Sequence, residues 1–311
     1  MHSYKTMPNG WLFLFLSLCV LCAGCMKDSY VYGVRANDFA VSNQAPLEVT
    51  HGGEHPRLDK VERALEYPRE AISRLRGGES LNEEEIEQAR EEAVELTQEY
   101  LSVNGLNDVK IDVRRYEPGE HWQRIQANEN VSPLWKYTGG AISWFRYTVL
   151  PNRVLGVDRY DPYSNTLSLN SERPTQALFE SAVAKEFLQH KNLGSYAMLQ
   201  NLPVLPIIHD IKASSDVLTY SEEIQQPELQ SDLRIQSYAR IGADTAGEIL
   251  SLTPFGRTAP FYVSPLARVS GGVAGRMTGK VVSKREKDAV PAQPASAVLT
   301  AEAVDRGEDS Q

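Results

Sequence analysis

All three cysteines of this chain, Cys19, Cys22 and Cys25, lie in its first 25 residues, and none follows. No disulfide framework and no cysteine-ligated zinc can hold the body together. Whatever folds beyond Cys25 must do so by burying apolar surface. A chain of 311 residues with 41% apolar side chains is long enough for one or two such domains.

The cysteines also mark a leader. Lys5 precedes the apolar run Trp11 to Leu21 (WLFLFLSLCVL), which has the length of a signal h-region and is too short to span about 30 Å of hydrocarbon. Small residues follow as Cys22-Ala23-Gly24-Cys25. This resembles a bacterial lipobox, with Cys22 standing where Leu is usual. The resemblance implies a signal peptide over 1–24, a covalent lipid on Cys25 and a membrane partner through that anchor. Met26 rather than Asp after the cysteine implies the outer membrane of a bacterial envelope. The net charge of −9 denies the chain the broad positive field that captures phosphate backbones, so nucleic acid is not expected as a partner.

Residues 25–78 read as a lipidated N-terminus and flexible tether, interrupted by Pro46, Gly52, Gly53 and Pro56. His51 and His55 fall there in HGGEH and read as a solvated pair rather than a metal site. Residues 82–103 read as a helix capped by Asn82 or Ser80, with Glu83, Glu84 and Glu85 at the positive end of its dipole. Alternation or apolar runs suggest strands at 108–116, 142–150, 153–159 and 166–170, the last two flanking the turn Asp161-Pro162-Tyr163-Ser164-Asn165. Helical patterns cover 174–191, 195–200, 207–225 and 229–250. Pro203 and Pro206 keep the apolar segment 198–208 from being a membrane span. Residues 251–279 read as Gly- and Pro-rich apolar loops with one short helix, and 280–311 as a disordered tail. The expected fold class is α+β, with a small mixed or antiparallel sheet followed by a helical bundle over 79–250.

One constellation bears on chemistry. Tyr160-Asp161-Pro162 and Leu167-Ser168-Leu169 lead into Ala177-Leu178-Phe179-Glu180-Ser181-Ala182-Val183-Ala184-Lys185-Glu186-Phe187. This stretch resembles bacterial zincin-like domains of the gluzincin kind, where a strand precedes a helix carrying His-Glu-x-x-His. Two histidines four apart share a helix face and bind zinc, and the intervening Glu acts as general base. By that resemblance the histidine positions are Phe179 and Val183, which have no donor atom for a metal. Glu180 holds the vestigial general-base position. Asp210, in Ile208-His209-Asp210, holds the vestigial third-ligand position, and Asp216 that of a supporting acid. No metal and no cofactor are therefore expected.

The expected function is that of a non-catalytic envelope lipoprotein on a pseudo-metallopeptidase scaffold, binding or structural in role, with an envelope protein or peptide as further partner. Two alternatives remain open. One is a metal-dependent hydrolase with a rearranged site drawn from Glu180, Glu186, His190, His209 and Asp210. The other is a structural lipoprotein without zincin ancestry. Ser181 lacks a Gly-x-Ser-x-Gly elbow, and no phosphate loop or dinucleotide fingerprint occurs.

Overall fold

The computed structural model describes residues 47–53, 55, 56, 58–64, 82–200, 205–251 and 260–289. The leader, Cys25 and the far C-terminus lie outside these described residues. Strand β1 (Val49–His51) enters a four-stranded sheet with β2 (Lys110–Val113), β3 (Arg159–Asp161) and β4 (Thr166–Leu169), in the order β1-β2-β4-β3. β1, β2 and β4 run parallel, and β3 closes the edge antiparallel to β4. The sheet is therefore mixed. Part of the expected tether is structured: it supplies β1, with His51 as its last residue, and a helical stretch at 58–64.

Helix α1 (Glu83–Val103) begins at a reciprocal capping box, in which Asn82 Oδ1 accepts from Glu85 N–H at 2.9 Å and Glu85 accepts from Asn82 N–H at 2.8 Å. The β2–β4 register places Ile111 beside Leu167 and Val113 beside Leu169, on the face that joins α1 and α6 (Pro174–Leu188) in the core. The pleat turns Asp112, between Ile111 and Val113, and Thr166, just before Leu167, to the other face. There Arg124 of α2 (Pro118–Ala127) donates to Asp112 at 2.7 Å and to Thr166 at 3.3 Å. The sheet is thus covered on both faces.

Two expected strands are corrected. Residues 142–150 form no strand. They follow α3 (Pro133–Trp135) and a π-helical turn (Lys136–Gly140) and belong to helix α4 (Ala141–Val149). The run is rich in aromatic and β-branched residues, but tertiary contacts decide its form. Trp144 Nε1–H donates to Pro118 O at 2.8 Å, and Tyr147 stacks on His121 with centroids 4.2 Å apart. The expected strand 153–159 is divided. Asn152–Leu155 is a helical turn, α5, ended by Gly156 at φ 59°, and only Arg159 enters β3. The turn after β3 falls where expected, with Asp161 accepting from Tyr163 N–H at 3.0 Å and Asn165 at φ 51°.

The helices after β4 fall close to their expected places: α6, α7 (Leu193–Leu199), α8 (Leu205–Glu223) and α9 (Pro227–Ser251). α6 is not a one-sided amphipathic helix, because every residue from Ala177 to Leu188 is buried. It packs on α1, α8, α9, β3 and β4 and is the axis of the fold. The larger correction is C-terminal. In place of loops and the start of a tail, residues Pro260–Ala289 form one long helix, α10, packed along α9. Its glycines permit the approach: a Cβ on Gly275 would fall 2.0 Å from Tyr238 O, and one on Gly271 would fall 2.2 Å from Gly242 O. Gly and Pro in this segment read as loop signals, whereas here the glycines are a close-packed helix face. Among the described residues no helix is long and apolar enough to cross a membrane.

Candidate functional site

Glu180 sits mid-way along α6, only 4% exposed, where a bare carboxylate would be costly. Two groups satisfy it. Tyr160 N–H, on the edge strand β3, donates to one oxygen at 3.1 Å, and the Arg240 guanidinium of α9 donates to the other at 2.7 Å. Asp210, on α8 and equally buried, lies 3.3 Å from Arg240 Nε. The same guanidinium rests over the Phe179 ring, 4.1 Å from its centroid. Three of the positions singled out in the sequence, Phe179, Glu180 and Asp210, therefore converge on one cation.

Two residues of this cluster were not anticipated: Arg240 itself and Asp244, one turn on along α9. Asp244 hydrogen-bonds Asp210 and pairs with Arg268 of α10. Arg240, Asp244 and Glu248 recur every fourth residue, which marks a charged stripe along the helix. That stripe was visible in the sequence, but the helices it would face were not.

The electrostatics follow from the arrangement. Burial pushes the Asp210 carboxyl well above its ordinary range. Arg240 opposes this, while the hydrogen bond and charge of Asp244 and the charge of Glu180 add to it. Burial acts to lower Arg240, but Glu180, Asp210 and Asp244 outweigh it and raise the guanidinium above its usual value. Below Glu180, Asp158 is raised to about 6 by burial, against the hydrogen bonds it accepts from Ser171 and Asn170, with the charge of Glu180 adding to the rise.

The remaining expected residues lie elsewhere. Asp216 pairs elsewhere: it accepts from Lys185 Nζ at 2.8 Å and from Tyr100 Oη–H. Phe179 and Val183 are buried as apolar filling. Glu186, His190 and His209, the ligands of a rearranged metal site, do gather around Tyr196. Its hydroxyl donates to Glu186 at 3.2 Å and lies 3.2 Å from His209 Nδ1, and its ring stacks on His190 at 3.6 Å. The Lys212 ammonium, however, rests on Glu186 at 2.8 Å. His209 is lowered to about 4, burial outweighing the carboxylates around it, so it is neutral. Among the described residues no three His, Cys, Asp or Glu side chains are arranged to hold a metal ion. His55 meets the Tyr116 ring edge-on at 6.1 Å.

The residues at the expected metal position do not suit a metal, since two offer no donor and the carboxylates already enclose a guanidinium. Compared with family models, curated proteins and solved structures, the chain matches none.

Proposed function

We propose that this chain is a non-catalytic envelope lipoprotein whose body is a degenerate zincin-like domain with a binding or structural role. The observation that carries the reading is the Arg240 guanidinium between Glu180 and Asp210. A fixed side-chain cation takes the charge-balancing place that zinc would hold, and it cannot polarise water toward hydroxide as zinc does. Two further observations support it. Strand β4 leads directly into α6, and α6 packs across α8 with Glu180 and Asp210 joined through a single group.

The lipid on Cys25 and the outer-membrane location belong to the same proposal. They rest on the leader Trp11 to Leu21 and on Cys22-Ala23-Gly24-Cys25. Labelled palmitate should enter the wild-type chain in a bacterial host, and Cys25→Ser should abolish its incorporation.

Elemental analysis of the chain from Met26 onward, loaded with zinc and dialysed, tests the site. Less than about one-tenth equivalent is expected of a centre without histidine ligands. Retention near one equivalent, lost in Glu180→Gln or His209→Ala, would overturn the pseudoenzyme reading and put a rearranged hydrolase in its place.

A further inference from the structure

Helix α4 and the turns before it are apolar on both sides. The inner side carries Trp144 and Tyr147 against α2, as described above. The outer side carries Leu134, Tyr137, Ile142, Phe145 and Val149, each between 55% and 65% exposed. Ile142, Phe145 and Val149 share a helix face by their spacing, and the wider π turn keeps Tyr137 on the same side, five residues before Ile142. A contiguous exposed patch of this kind marks a contact surface.

The charge pattern specifies what it contacts. The chain has 41 acidic residues, yet none occurs from Asn130 to Val157. The cations here include Lys136, part-exposed at the edge of the patch, and Arg146, exposed beside Phe145. Arg159 of β3 is also exposed and close enough to act on the charge of Arg146. The nearby Asp161 also acts on Arg146, but it is turned inward onto Ser143, His121 and the Tyr163 N–H. An apolar centre with aromatic rings and exposed cations, on a stretch of chain without acidic residues, complements the acyl boundary and phosphate layer of a bilayer.

The placement of the chain's entry agrees. Arg153, just past the patch, donates to Gly53 O at 2.9 Å and to Arg114 O at 3.1 Å, and Tyr116 Oη–H donates to Thr148 O at 2.9 Å. The turn that follows β1 is therefore held beside the C-terminal end of α4, one short strand along from the chain's entry at Leu47. Residues 26–48 could reach at most on the order of 80 Å from an anchored Cys25, so the patch lies within reach of the bilayer.

We propose that Leu134, Tyr137, Ile142, Phe145 and Val149 form a membrane-contact surface that lies in the headgroup–acyl boundary, with Lys136 and Arg146 at phosphate level. The inference rests on the lipoprotein reading for the nearness of the bilayer, not for the chemistry of the patch.

An environment-sensitive fluorophore on Phe145→Cys tests it, with Glu91→Cys on α1 as the control site. The lipidated chain is placed in vesicles of phosphatidylethanolamine and phosphatidylglycerol, some brominated at a shallow acyl position. Emission at 145 should rise several-fold and be quenched by the brominated lipid, while the probe at 91 does neither. Equal iodide quenching at 145 with and without vesicles would overturn the inference, even with the anchor intact. Shielding of 145 without lipid quenching, together with a doubled particle mass, would also overturn it in favour of self-association. The chain made from Met26 without lipid separates the two readings. If it still binds vesicles through 145, the patch stands without the anchor.

Discussion

Arg240 reaches from α9 to Glu180 on α6 and closes a 2.7 Å ion pair inside the fold. The pair is lopsided in exposure: the Glu180 side chain is 6% exposed and that of Arg240 29%. Removing the cation therefore strands a buried anion, whereas removing the anion leaves a guanidinium that can still reach water.

The asymmetry gives the first prediction. Arg240→Ala should lower unfolding stability by roughly 2 kcal/mol or more, because a buried carboxylate loses its counter-ion. Glu180→Gln should cost less. The double change Glu180→Gln with Arg240→Met should recover part of the loss, and a double-mutant cycle from urea unfolding measures the coupling. Additive effects would show that the pair is not coupled.

Asp158 gives a pH prediction of defined sign. Its native value, raised to about 6 from an ordinary 3.8, means that the folded chain binds this proton more tightly than the unfolded one. Stability from this group is therefore greatest at low pH and is lost as pH rises through about 6. Asp158→Asn keeps an oxygen for the Asn170 and Ser171 N–H groups and removes the charge. It should stabilise the fold at pH 8 by on the order of 1–3 kcal/mol and lose that advantage near pH 4. Thermal unfolding across that range reads the difference.

Asp161 works in the opposite sense. Burial alone would raise it, but His121 at 2.9 Å, the Tyr163 N–H and the Ser143 hydroxyl hold it below its ordinary 3.8. Its contribution is present above that ordinary value and is lost as pH falls through the lower native one. His121→Phe removes the main support, so acid unfolding followed by circular dichroism should begin at higher pH than in the wild type.

The α9–α10 contact is equally testable. A side chain on Gly275 meets the Tyr238 carbonyl, so the helices must separate. Gly275→Val should cost about 1–3 kcal/mol, more than Gly272→Ala, whose added methyl would meet its nearest neighbours at 3.5 Å. Since α9 carries Arg240, the change should also weaken the coupling between Arg240 and Glu180 in the same double-mutant cycle.

Local signals in the chain decided a good deal. Asn82 and the three glutamates after it started α1, because capping and dipole effects act within one turn. Alternation marked β2 as a strand, and the spacing of apolar residues placed α6 to α9 within a few residues. The resemblance around Glu180 also picked out Phe179 and Asp210, which do share a site. What failed was any segment whose form depends on distant partners. Residues 142–150 carry strand-like side chains but become a helix through Trp144 and Tyr147 against α2. The glycines of 271–279 read as breaks until the α9 backbone is laid against them. Arg240 was one cation among 32 in the sequence. A side chain's counter-ions are fixed by which helices cross, and crossing is decided by packing over the whole core, not by neighbours along the chain.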